Sequence, residues 1–135
     1  MEMHKRHLEL SLFGLRLTIF MAMLVWTLDK FFNPGHAAKV YATFYFIGGM
    51  ESMAMFVIGL VELVILLGFI AGLFKKYTYG CVLGLHAIST LSSFKQYLAP
   101  FDGSNILFFA AWPMLAGCLA LYLLRDCDNK FIMDG

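Results

Sequence analysis

The chain has 135 residues, of which 61% are hydrophobic and 14% charged, with a formal net charge of +1 and a mean hydropathy of +0.77. Soluble domains carry about 25% charged residues, and a small domain has too little interior to hide so much apolar surface. The composition therefore argues against a water-soluble globule, and the near-neutral charge gives no electrostatic footprint for nucleic acid.

A membrane span needs about 20 mostly apolar residues. The start of the chain, with Lys5 and Arg6, looks like the charged region of a signal peptide. The apolar run behind it is too long for a signal peptide core, however, and no small-residue cleavage site ends it. It predicts a retained first transmembrane helix over about residues 8–28, carrying Arg16 and closed by Asp29 and Lys30. Asn33, Pro34 and Gly35 then supply turn chemistry. The aromatic stretch that follows, up to Gly48 and Gly49, is too short to cross and return. It reads either as an interfacial or re-entrant segment with Tyr41 and Tyr45 near the headgroups, or as an extension of the next helix.

The second span is predicted over about 50–73, with Glu51 and Glu62 inside it and Lys75 and Lys76 behind it. The third runs over about 77–97, followed by a loop at 99–103. The fourth covers about 105–124, where Pro113 removes a backbone donor and predicts a kink. Residues 125–135 are polar and read as a frayed end. In lipid only helices and closed barrels satisfy their backbone groups, and these segments are too long and too continuously apolar for barrel strands. The expected fold is an all-α integral membrane four-helix bundle, one transmembrane domain over 1–135, with a short interfacial or re-entrant segment between helices 1 and 2. With the N-terminus inside, the cytoplasmic side holds Lys5, Arg6, Lys75, Lys76, Arg125 and Lys130, against Lys30, Lys39 and Lys95 outside. Basic residues concentrate in cytoplasmic loops, so both termini are expected in the cytoplasm.

Ionisable residues within a span cost roughly 2.5–3.5 kcal/mol each on insertion scales and usually face a bundle interior and pair. Arg16, Glu51 and Glu62 are the residues singled out on that ground. Glu51 and Glu62 are eleven positions apart and so share one helix face. Glu62 is expected at a depth comparable to Arg16, which makes an Arg16–Glu62 pair geometrically reasonable, either fixing helix register or forming a polar floor for a ligand or proton path. Asp29 and Lys30 read as a solvated helix end. His86, Thr90, Ser93 and Tyr97 fall at i, i+4, i+7 and i+11 and make one polar stripe, readable as helix glue or as a lining.

His86 has no second histidine at matching depth, which argues against a bis-histidine haem. Metal ligands are too few to cluster, and no nucleophile has a base at motif spacing. Cys81, Cys118 and Cys127 form no CxxC pair, and a disulfide framework is not expected. The recurring glycines suit close helix contact.

LRLTIFMAMLVWTLDKFFNP, with Arg16 early and Asp29-Lys30 at the end, resembles the first helix of the DoxX-like membrane proteins. GLVELVILLGFIAG, with Glu62 between Gly59 and Gly68, resembles their second. The polar third helix with His86 and a fourth beginning at Asn105 also fit, so that the resemblance covers about residues 10–124. It implies a four-helix bundle in a bacterial or archaeal inner membrane and an association with redox chemistry. Members include a subunit of thiosulfate:quinone oxidoreductase and a protein used in maturing methylamine dehydrogenase. The positions matching the pattern are Arg16, Asp29, Lys30 and Glu62. The chain departs from dithiol-active relatives in lacking paired cysteines, which puts thiol–disulfide exchange in doubt.

Three functions follow as expectations. The first is an accessory or anchoring subunit of a membrane redox complex, held by other membrane subunits or as a homo-oligomer, with quinone as the cofactor it would help to bind. The second is an independent quinone-linked oxidoreductase component using His86, Thr90 and Glu62. The third is a small solute or ion transporter using Arg16 and Glu62.

Overall fold

A computed structural model of the chain describes residues 2–32, 52–103 and 105–132, and the side chains of all of these except residues 2, 30 and 52–55. The expected interfacial segment and Glu51 lie outside the described residues. The described elements are α1 (Glu2–Phe32), α2 (Ser52–Ala71), α3 (Lys75–Ser92), the short α4 (Phe94–Leu98), a 3-10 turn (Asn105–Ala110), α5 (Ala111–Leu123) and a final 3-10 turn (Arg125–Cys127). No strand occurs among the described residues, whose regular structure is all helical.

α1 has a single glycine, Gly14, and no proline to interrupt it, and it runs for 31 residues, about 46 Å at 1.5 Å per residue. It begins earlier than the predicted span, so the charged start continues the same helix, with residues 3–7 exposed. Its buried side chains are Leu12, Arg16, Ile19, Met23 and Thr27. They recur at i, i+4, i+7, i+11 and i+15, one narrow stripe, with Leu8, Leu15 and Phe20 beside it partly buried against the core.

α2 ends in a Schellman motif. The Leu73 amide donates to the Gly68 carbonyl at 2.9 Å and the Gly72 amide to the Phe69 carbonyl at 3.2 Å, with Gly72 at φ +73°. That pattern closes two of the helix's orphan carbonyls and needs a left-handed residue. The short turn to Lys75 returns the chain alongside α2.

The third span is not continuous. Thr90 bonds the His86 carbonyl at 2.7 Å, Ser92 the Ile88 carbonyl at 2.6 Å and Ser93 the Ser89 carbonyl at 3.3 Å. Three hydroxyls bonding back onto their own helix loosen and bend it, and α3 stops at Ser92 before α4 resumes at Phe94. The fourth span is also divided: its first part is the 3-10 turn, and the α-helical part starts at Ala111. Pro113 therefore sits in the first turn of α5, where its missing amide donor is not needed, rather than kinking a helix at its middle.

α1 packs on α2 and α5, and α3 packs on the same two, so that the four longer helices close a ring. Its core is Leu12, Ile19, Met23, Leu66, Phe69, Tyr79, Val82, Cys118 and Leu121. Gly117 lets α5 approach α1 closely, since a β-carbon there would lie 3.2 Å from Leu15 and 3.4 Å from Ile19.

Among the described residues two stretches, Met3–Asp29 and Asn105–Leu123, are long and apolar enough to cross a membrane, and Phe56–Ala71 is apolar but shorter. Within each, only 17% of an 18-residue apolar window is buried, whereas the core helix of a soluble protein would be mostly covered. Large apolar side chains stand exposed on every long helix, among them Val25 and Trp26 on α1, Val61 and Val64 on α2, Ile88 and Leu91 on α3, and Leu119 and Leu123 on α5.

Candidate functional site

The most polar part of the interior is built around Arg16, which is fully buried on the inward stripe of α1. Its guanidinium does not meet Glu62. Nη1 donates to Asp128 Oδ1 at 2.7 Å in an ion pair whose side chains are both 0% exposed. Nη2 donates to the Phe131 carbonyl at 3.1 Å and to the Lys130 carbonyl. The second oxygen of Asp128 accepts from the Tyr79 hydroxyl. Lys75, at the first turn of α3, donates to the Arg125 carbonyl at 3.0 Å and to the Asp128 carbonyl.

Residues 125–132 are thus a strap laid across one end of the helix ring, rather than the frayed end expected from their composition. Ile132 fixes its far side. A β-carbon on Gly72 would fall 2.5 Å from the Ile132 Cγ2 atom, so the strap sits against bare backbone at the end of α2. The Phe131 ring packs on Phe13 with centroids 5.0 Å apart, and the Arg16 guanidinium lies 5.4 Å from the Phe13 ring centre. Phe69 meets Tyr79 edge to face at 5.0 Å.

Register explains why Glu62 is not the partner of Arg16. Phe69 of α2 lies at the level of the Tyr79–Asp128–Arg16 cluster. Glu62 is seven residues earlier on that helix, about 10 Å further along the axis. Depth reckoned from approximate span ends cannot resolve two helical turns. Glu62 is partly buried and has an interaction of its own. In the Arg16–Asp128–Tyr79 network both carboxylate oxygens and both terminal guanidinium nitrogens are engaged. Arg16 Nε, by contrast, is buried without a hydrogen-bond partner among the described residues.

The other residues singled out are separated from this cluster. His86 is 1% exposed, with Nε2 3.0 Å from the Ala111 carbonyl. The Trp26 ring of α1 lies parallel to the imidazole, 8° between planes and 6.3 Å between centres. Thr90 is buried, and its hydroxyl is taken by the His86 carbonyl as that of Ser93 is by the Ser89 carbonyl, so these two hydroxyls bond their own helix while His86 bonds across to α5. Tyr97 packs against Phe109 at 5.2 Å and Trp112 at 5.4 Å. Asp29 lies near the end of α1, half-buried and with an interaction of its own. The side chain of Lys30 lies outside the described residues. All three cysteines are free, and no group of three metal-ligating side chains forms among the described residues.

Sequence reasoning missed Asp128, Tyr79 and Lys75. Tyr79 could have been found, because it lies seven residues before His86 and extends the same buried face. Asp128 could not, since nothing local distinguishes it from the acidic residues around it. No family model matches the chain, and no curated protein and no solved structure matches it.

Proposed function

We propose that the chain is a DoxX-like integral membrane protein, a four-helix membrane bundle that acts as an accessory or anchoring subunit of a membrane redox, quinone-linked complex. The observation that carries this reading is the distribution of side chains: the outward faces of all four long helices are apolar, while the main buried ion pair joins the helix ring to its own strap. A protein arranged in this way offers packing surface to lipid and to neighbouring subunits. Its strongest internal electrostatics hold the bundle together. The redox assignment comes from the resemblance of the Arg16, Asp29-Lys30 and Glu62 segments to the DoxX-like pattern. Both termini are assigned to the cytoplasm on the distribution of basic residues.

An independent quinone-linked component is the second reading, favoured by the enclosed imidazole of His86 beside Trp26. A small solute or ion transporter using Arg16 and Glu62 is the third reading, with the terminal nitrogens of Arg16 engaged by Asp128 and the strap.

Gentle affinity purification from native membranes, read by mass spectrometry, tests the assignment. Oxidoreductase subunits in fixed stoichiometry are expected. The chain recovered alone, or only with copies of itself, contradicts the subunit role and favours the second reading.

A further inference from the structure

The start of α1 and the strap enclose a cavity of about 410 Å³ at one end of the helix ring, within the size range of small-ligand sites. Leu8, Glu9 and Cys127 line it half-buried, and His4, Lys5 and Asp126 stand exposed at its mouth. The lining is mainly apolar, and its charges are of both signs. None of Lys5, Glu9 and Asp126 forms an ion pair with another described residue, although Lys5 and Glu9 are neighbours on one helix face. The strap wall is held in place by its own bonds. Asp128 holds Arg16, Lys75 binds the Arg125 and Asp128 carbonyls, and Asn129 donates to the Asp126 carbonyl at 3.3 Å.

The place of the cavity along α1 defines what could fill it. Leu8 is where the apolar run begins, and His4 and Lys5 belong to the charged start before it. In a bilayer spanned by α1 the cavity straddles the depth at which acyl chains meet headgroups. An occupant of one charge sign would face an opposing wall: an anion meets Glu9 and Asp126, and a cation meets Lys5. A zwitterion matches both. Its cation must carry N–H donors. Carboxylates hold a primary ammonium by charge-assisted hydrogen bonds, whereas a quaternary ammonium is held by aromatic cages, and no aromatic ring lines the cavity among the described residues.

We infer that this cavity is a binding site for the headgroup of a phosphoethanolamine lipid. Lys5 and His4 take the phosphate, Glu9 and Asp126 take the ammonium, and the apolar lining at Leu8 takes the first carbons of the lipid body. The strap then forms one wall of a lipid site as well as closing the ring. This rests on the membrane reading for its occupant. It does not depend on a redox role or on the chain having a partner subunit.

The test titrates the full chain, delipidated in detergent, with phosphatidylethanolamine, phosphatidylcholine and phosphatidylglycerol of the same acyl chains, and counts bound lipid by native mass spectrometry. Saturable binding of one phosphatidylethanolamine is expected, about tenfold or more tighter than either of the others, because each of them lacks the ammonium hydrogens that bond the carboxylates. The double variant Glu9→Gln, Asp126→Asn should lose the preference over phosphatidylcholine, and Glu9→Lys should move the preference to phosphatidylglycerol. Both variants should enter lipid nanodiscs as the parent chain does. Equal binding of the three lipids, or a preference that survives the double variant, overturns the inference. So does displacement of the lipid by an equal concentration of water-soluble glycerophosphoethanolamine, which assigns the cavity to a soluble zwitterion. A chain that stays in solution without detergent overturns the membrane reading and this inference with it. Entry into nanodiscs without a headgroup preference overturns the inference alone.

Discussion

At the scale of single residues, Arg16 is the side chain on which most depends. A buried guanidinium needs its charge matched, and Asp128 supplies that charge from 112 positions away. Removing one member of such a pair strands the other, which typically costs about 3–5 kcal/mol. Asp128→Ala should lower the melting temperature sharply in nanodiscs, and Arg16→Ala should do the same. The double variant should be far less unstable than the sum of the two. In a matched cycle, Arg16→Ala and Glu62→Ala should add to within about 0.5 kcal/mol, as separated sites do. A large coupling to Glu62 with none to Asp128 would refute the pairing. Arg16 was legible in the sequence because a charge inside an apolar run stands out. Its partner was not, because polarity alone does not distinguish a solvated end from a strap folded back over a buried cation. His86 was legible as an enclosed polar group, but its bond across to α5 depends on where the Ala111 carbonyl lies.

Element boundaries follow from the same local chemistry. The join between α2 and α3 needs Gly72 twice over, for its φ of +73° and for the space that Ile132 occupies. Gly72→Ala should cost at least about 1–2 kcal/mol from the left-handed backbone alone, with more as Ile132 is pushed away and the strap loosens. Gly14, within α1, faces open space, with nothing within 4 Å of where a β-carbon would stand. Gly14→Ala should therefore be neutral or stabilising by about 0.5–1 kcal/mol. Thermal melts of the two variants side by side check this, and equal effects would contradict it. Helix existence was readable from the apolar runs, although α1 continues past Asp29-Lys30 to Phe32 and Lys75-Lys76 open α3 rather than close α2. The interruptions were harder to read. The break at Ser93 arises from hydroxyls bonding their own helix, a choice they share with helix-to-helix bonding in sequence. Pro113 marked a boundary that periodicity could not separate from a kink.

For the whole molecule, the central claim is that the exposed apolar surface faces lipid. Composition raised this expectation, because a small domain has little interior in which to hide so much apolar surface, and two stretches among the described residues are long and apolar enough to cross a membrane. The order of the helices around the ring was beyond the sequence, because short loops constrain neighbours in the chain but not the contact of α1 with α5. The chain has two tryptophans, Trp26 at 50% exposure and Trp112 at 43%, one on α1 and one on α5. Both point outward, so fluorescence in nanodiscs containing lipids brominated along the acyl chain tests the claim directly. Strong quenching by the brominated chains, with protection from aqueous iodide, is the expected result. Quenching by iodide and indifference to the brominated lipids would contradict it.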